Sequence, residues 1–428
     1  MTAHLLILNP AGVEVSILFT ADIPTDALEA MRHSWANIDQ QWFDDVDEAY
    51  AQTKTFRQLL IVHGEEVSPF DDYQYMLHRY ISVGTLRHSS TAQMMQELTG
   101  RITLSLLEAL AGGPTLLHAA LLGDEETGRA VAFIGPSGRG KTTAARTLGQ
   151  HYRYLSDETS IINNDLSVVP YPKPLSVIET KGEPKAQIPA AELGLNPVAA
   201  DSTDYSLVRL VLLNRDEQFT EPTVQTVPLA ENLAEVTAQS SGLAMQETGL
   251  RSILDVLGAT GGLVQLNYAE IADTLPLVQQ IFAGEIEPLE EDIEAINNRD
   301  MLPPVYPNGT VTVHRGTGTS AAWVGDTFYL FNGQRLDQLS AFAAECWLQA
   351  EPEVDRNTHF ERMGELFPGL PEDAYDNILT ELAQNNMIHI YVTNDPVYTE
   401  PEMLNEEASN QLDSSQGNDD IIEEDFAD

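Results

Sequence analysis

Apolar residues along this chain follow two rhythms, and each predicts a different kind of element. Short apolar runs at 5–8, 13–19 and 58–62 have strand length, and 27–35 has helical spacing between them. The stretch 91–111 places Met94, Met95, Leu98, Ile102, Leu106, Ala109 and Leu110 three or four residues apart, which predicts a long amphipathic helix. Two further apolar runs, 115–122 and 130–134, flank the acidic, glycine-bounded separator Gly123-Asp124-Glu125-Glu126-Thr127-Gly128, a hairpin signal. A helix is expected over 142–150, then strands at 152–155, 207–213 and 262–266, and a helical run at 271–282. Strands alternating with helices predict an α/β core.

A change of composition divides the rest of the chain. Between 286 and 308 acidic residues crowd together and Pro288, Pro303, Pro304 and Pro307 punctuate the stretch, which reads as a linker. Beyond it, 309–395 forms a smaller unit. Its expected strands are 311–314, 321–324, 328–331 and 388–392, and its expected helices are 339–349 and 372–384. The segment 396–428 is polar and acidic and reads as a disordered tail. The resulting division is 1–99 (an α/β segment of unread role), 100–285 (the α/β core), the linker, the small unit and the tail.

Charge narrows the partners. The 428 residues include 66 acids and 22 Lys or Arg, for a net charge of −44. Such a chain repels nucleic-acid phosphates and anionic membranes unless its cations cluster, so neither is an expected partner. No window holds 18 consecutive apolar residues and the first residues lack a basic run, so the expectation is a cytoplasmic protein. A single cysteine, Cys346, excludes an intrachain disulfide framework. Lysine occurs five times, at 54, 141, 173, 181 and 185, and four of these fall within 45 residues of one another.

The motif carrying chemistry is Gly135-Pro136-Ser137-Gly138-Arg139-Gly140-Lys141-Thr142, followed by Thr143. It fits the phosphate-loop pattern, with a strand entering and a helix leaving. A glycine-rich turn can aim successive N–H groups at an anion, and the helix N-terminus adds partial positive charge. Lys141 would reach the β- and γ-phosphates, and the Thr142 hydroxyl would ligate Mg²⁺. ATP and Mg²⁺ are the expected cofactors. Sixteen residues after Lys141, Asp157 and Glu158 end an apolar strand. A carboxylate there can hold Mg²⁺, and a second can take the proton of an attacking hydroxyl. His118 lies inside the strand-like run before the loop, where a lone histidine is more often a core residue than a catalytic one.

Together, Leu116-Leu117-His118-Ala119-Ala120, the loop at 135–143, Leu155-Ser156-Asp157-Glu158, Tyr171-Pro172-Lys173-Pro174-Leu175 and the runs 208–215 and 262–282 resemble the HPr kinase-like branch of P-loop proteins. That branch includes bacterial serine kinases and is related to phosphoenolpyruvate carboxykinases. The resemblance covers roughly residues 100–285. It implies an HPr kinase/carboxykinase-like core, with Asp157 and Glu158 as metal-linked carboxylate and general base, and it raises His118 to an active-site candidate. The second acid is Glu where HPr kinases proper have Asp, so which one is the base stays open. The signature by which HPr kinase/phosphorylase grips its protein substrate is absent, which argues against HPr as acceptor.

The unit at 309–395 resembles PqqD-like peptide-recognition domains through Phe328-Tyr329-Leu330-Phe331-Asn332-Gly333, the run 341–348 with Trp347, and 378–388. A plain winged helix shows the same apolar pattern. DNA reading is disfavoured, because Arg315, Arg335, Arg356 and Arg362 are its only basic residues. The expected function is MgATP-dependent phosphoryl transfer to a serine-type hydroxyl on a small molecule or peptide. The alternative is a non-kinase ATP switch serving a peptide or protein partner. A homo-oligomer is compatible with either. Lys173, Lys181 and Lys185 either neutralise local acids or fold toward the phosphate loop.

Overall fold

The computed structural model describes residues 3–45, 56–64, 80–136, 138–180, 182–199, 201–202, 204–246, 248–297, 307–350 and 354–393. The expected tail at 396–428 therefore lies outside the described residues, as do Ser137 and Lys181.

Strands β1 (His4–Leu8), β2 (Val15–Phe19), β3 (Gln40–Phe43), β4 (Phe56–His63) and β5 (Tyr80–Arg87) form a sheet of order β3-β1-β2-β4-β5. Helices α1 (Thr25–Ser34) and α2 (Thr91–Leu110) cover one face of it. Ser90 caps α2, its hydroxyl accepting from the Gln93 N–H. The helix buries Met94, Met95, Leu98, Ile102 and Leu106 against the first sheet, so a boundary at 99/100 would cut through one continuous element. The same core takes in Leu116, Ile161 and Tyr171, which ties this unit to the next.

The next unit contains β6 (Thr115–Leu117), β7 (Ala120–Asp124), β8 (Arg129–Ile134), α3 (Lys141–Leu148), β9 (Arg153–Ser156), β10 (Ser160–Ile162), β11 (Val168–Val169), β12 (Leu175–Val177), β13 (Ala186–Ile188) and β14 (Asn196–Pro197). It continues with β15 (Ser206–Arg215), β16 (Thr223–Val227), α4 (Leu229–Ala238), β17 (Ser240–Ser241), α5 (Leu250–Ala259), β18 (Leu263–Tyr268) and α6 (Leu275–Ala283). Its main sheet has the order β14-β9-β7-β8-β15-β18-β16, with β8, β15 and β18 parallel at the centre. Both faces of β8 are buried: Ala130, Ala132 and Ile134 pack toward α4 and α5, while Val131 and Phe133 pack toward α3 and α6. That is why the strand reads as an unbroken apolar run.

The run 115–122, expected as one strand, is two. β6 joins a sheet of order β11-β10-β6-β17, whereas β7 joins the main sheet. The chain breaks at His118, whose N–H donates to Gln239 O at 2.6 Å, and at Ala119, which donates back to Leu117 O. His118 is the one polar residue inside the run, and nothing in the local pattern shows that the chain changes sheet there.

The stretch 286–308, expected as a linker, contains β19 (Ile293–Asn297), which pairs with β21. The acids crowded ahead of it hide the strand, which is an edge with Glu294 facing solvent. Glu291 just before it accepts the Leu229 N–H through both carboxylate oxygens at 2.9 Å, at the start of α4. The C-terminal unit adds β20 (Val311–Arg315), β21 (Ser320–Val324), β22 (Thr327–Phe331), β23 (Leu336–Leu339), α7 (Ala341–Leu348), α8 (Arg356–Leu366), α9 (Glu372–Gln384) and β24 (Ile388–Val392). One sheet runs β19-β21-β22-β23, and β20 pairs with β24. Ala322, Val324, Tyr329 and Phe331 enter the same core as α4 and α5. Among the described residues no helix is long and apolar enough to cross a membrane.

Candidate functional site

Strand direction brings the candidate residues together. β7 runs antiparallel to both β8 and β9, so its beginning lies beside their ends. Ala120 faces Phe133 and Leu121 faces Ser156. The glycine-rich loop leaves β8, the acid pair leaves β9 and His118 enters β7, all at one edge of the sheet. That edge, at the carboxyl ends of parallel strands, is where open α/β sheets bind ligands.

A cavity of about 510 Å³ opens there. Gly138, Gly140, Lys141, Thr142, Thr143 and Arg146 form one wall, and His118, Asp157 and Glu158 form another. Ser176, Val177, Ile178 and Lys185, from the β12–β13 hairpin, complete it. Of the loop residues singled out in the sequence, Gly135 and Pro136 do not line the cavity. Arg139 turns away, its guanidinium donating to Arg215 O at 3.0 Å.

The loop is held from below. Gly140 has a left-handed backbone (φ 95°) at the N-cap of α3, and a Cβ there would meet Tyr268 Oη at 3.2 Å. That phenol, at the end of β18, donates to Arg139 O at 3.1 Å. Burial raises its pKa to about 12, so it stays a donor. Lys141 is buried and donates to Gly135 O and Pro136 O at 2.5 and 3.5 Å. Burial lowers its pKa, and Glu158 opposes that shift.

The acids differ in surroundings. Asp157 is buried; its Oδ1 accepts from the Tyr154 phenol at 3.1 Å and faces Lys173 Nζ at 3.2 Å. Glu158, whose side chain is 41% exposed, places Oε2 2.9 Å from the same ammonium. Lys173 itself is fully buried. Desolvation would lower its pKa, but Asp157 and then Glu158 outweigh that and raise it. The reciprocal effect, chiefly from Lys173, holds Glu158 below the ordinary carboxylate range against its own desolvation. Desolvation, followed by the Lys141 charge, holds His118 below its ordinary value against the pull of Glu158 and Asp157, so its imidazole is neutral at pH 7.

Lys173 is the residue whose position composition alone does not reveal. Its neighbours Pro172 and Pro174 stiffen the segment, and the Tyr171 N–H donates to Leu155 O at 2.8 Å, pinning it beside β9. The Tyr171 phenol also meets Thr103 Oγ1 at 3.0 Å, so α2 of the N-terminal unit buttresses it. The signal available in sequence was scarcity: five lysines in 428 residues, and three of them, Lys141, Lys173 and Lys185, act on Glu158.

Among the described residues no group of three His, Cys, Asp or Glu is arranged to hold a metal. The Thr142 hydroxyl and the Asp157 carboxylate do line one cavity, and Asp157 Oδ2 takes no bond from a described residue. Two hard oxygen ligands of this kind fit Mg²⁺, which takes one or two protein oxygens plus substrate phosphates.

Compared with protein-family models and with curated proteins, the chain has no match in either.

Proposed function

We propose that this protein is an HPr kinase-like P-loop phosphotransferase that binds MgATP and transfers the γ-phosphoryl group to a hydroxyl. The observation carrying this reading is the meeting of a glycine-rich loop, Lys141, Thr142 and a lysine-bridged acid pair around one cavity at the strand ends. Phosphates would lie at the N-terminus of α3, with backbone N–H groups and Lys141 as donors. Thr142 and Asp157 would hold Mg²⁺, which neutralises charge on the β- and γ-phosphates.

Asp157 is buried and already engaged by Tyr154 and Lys173, which suits a fixed ligand. Glu158 is the more accessible acid and suits the base. In the transfer, the acceptor oxygen bonds to the γ-phosphorus and the bond to the β,γ-bridging oxygen breaks. ADP leaves with that electron pair, and the hydroxyl proton passes to Glu158. Neutral His118 can donate or accept one hydrogen bond beside that proton. Incubation with γ-labelled ATP, following where the label goes, tests the reading: label in a phosphomonoester supports it, and ATP left intact refutes it.

A second reading, an ATP-dependent switch, has one observation in its favour. The C-terminal sheet shares a core with α4 and α5, and Ser320 Oγ accepts the Leu250 N–H at 2.9 Å. Nucleotide-driven movement of the central unit would reach the C-terminal unit through that contact. ATP binding without label transfer selects this reading.

A further inference from the structure

The proposed transfer leaves part of the cavity wall without a task. Lys141, Thr142 and Thr143 face phosphate, and Asp157, Glu158 and His118 face the reacting hydroxyl. Arg146 follows Thr142 and Thr143 by four and three residues on α3, which puts it on the nucleotide side. What remains is the β12–β13 hairpin, with Ile178 and Lys185.

Three features of that hairpin are unexplained by nucleotide binding. First, β12 pairs only with β13, and its outer edge has no strand beside it among the described residues. The β13 side is occupied: Gln96 Oε1 accepts the Lys185 N–H, and Ser34 Oγ donates to Gln187 O. The unpaired edge is therefore that of β12, whose Ser176 and Val177 line the cavity. Second, Ile178 at the end of β12 is 66% exposed on the cavity rim, while Leu175 and Val177 pack inward. Third, Lys185 lines the same cavity with no ion-pair partner among the described residues, although its field reaches Glu158. In a chain of net charge −44, Lys185 adds to the positive charge that Lys141 and Arg146 give the opposite wall.

We infer that the acceptor is an extended peptide that adds as a strand to the open edge of β12 and carries a carboxylate side chain next to its hydroxyl residue, held by Lys185. Backbone hydrogen bonds to a free strand edge give affinity without sequence preference, and the flanking side chains give specificity. Ile178 would pack against an apolar residue of that peptide. A free hydroxy acid would satisfy Lys185 but leave the strand edge and Ile178 unused. The inference rests on the phosphoryl-transfer reading, and the bonds made and broken are those given above, with the peptide hydroxyl as nucleophile.

The test uses the full chain, γ-labelled MgATP and defined acceptors. These are short synthetic peptides with one serine among valines, followed by Asp, Asn or Lys, together with free L-serine and glycerate. For the wild type, kcat/KM should favour the Asp peptide over the Lys peptide by about tenfold, with Asn between. Lys185→Glu should reverse that order, and Lys185→Gln should flatten it. Equal use of the three peptides, label only in the free hydroxy acids, or an unchanged order in Lys185→Glu would each overturn the inference. MgATP stabilisation of the wild type in a thermal melt, measured alongside, separates the two levels. Binding with no peptide labelled overturns the acceptor inference alone, and no binding overturns the nucleotide reading with it.

Discussion

Lys173 Nζ lies 2.9 Å from Glu158 Oε2 and 3.2 Å from Asp157 Oδ1, so one buried ammonium bridges two consecutive carboxylates. Consecutive residues on a strand point to opposite faces, and two acids in sequence would not share a partner there. Asp157 and Glu158 can because β9 ends at Ser156, whose side chain accepts the Glu158 and Thr159 N–H groups in a turn.

Removing that ammonium should cost stability. In Lys173→Met the buried Asp157 carboxylate loses its countercharge, a loss of about 3 kcal/mol for a broken buried pair. The partly exposed Glu158 adds little, because solvent screens it. Urea unfolding should show this loss, and Lys173→Met in an Asp157→Asn background should cost clearly less. Equal costs in both backgrounds would remove the ion pair from the account.

The sequence discloses the parts of this site that depend on local pattern. Gly138, Gly140, Lys141 and Thr142 are legible because a strand–turn–helix must contain them in order, and the acids because they close an apolar strand. The hairpin β12–β13 is not legible. Gly182 and Pro184 read as a mobile loop, and the three-residue strands are too short for a period to register. β19 is masked by the acids crowded just before it, and α8 by a mostly polar sequence, with His359 and Met363 its only fully buried residues. The split at His118 depends on Gln239, a partner 121 positions away, which no local window contains.

Lys141→Ala should abolish nucleotide binding while leaving a folded chain, because among the described residues the amine bonds only to carbonyls of its own loop. In thermal melts without ligand the two proteins should unfold at similar temperatures. With MgATP at a hundred times its dissociation constant, only the wild type should gain stability, by about 2.7 kcal/mol. Equal gains would exclude the loop as the phosphate site.

The two acids should separate by function. Glu158→Gln should keep MgATP affinity and lose roughly a hundredfold or more in turnover, the scale of a lost general base. Asp157→Asn should instead weaken nucleotide binding in the presence of Mg²⁺ and leave metal-free binding nearly unchanged. Direct titration and steady-state rates on both variants decide the assignment, and the reverse pattern would exchange the roles.

His359 should make the stability of the C-terminal unit fall in acid. Fully buried, it accepts the Tyr375 O–H at Nδ1 (2.7 Å) and donates from Nε2 to Cys346 O (2.9 Å). Burial lowers its pKa below the ordinary 6.5, with the Cys346 carbonyl opposing. Below pH 6.5 the unfolded chain therefore takes up a proton that the folded one resists. Its contribution is present above that pH and is lost as the pH falls further. Melting temperature should drop between pH 7 and 5, and less steeply in His359→Gln. Parallel curves would show that carboxylates alone cause the drop.

Phosphorus NMR of MgATP incubated with the wild type, the three serine peptides and the Glu158→Gln variant tests the central claim most directly. The γ-phosphate signal should decline with the wild type while a phosphomonoester and ADP grow in together, and should decline roughly a hundredfold or more slowly with Glu158→Gln although that variant still binds ATP. A γ-phosphate signal that never declines with the wild type, or one that declines equally with Glu158→Gln, would contradict that claim.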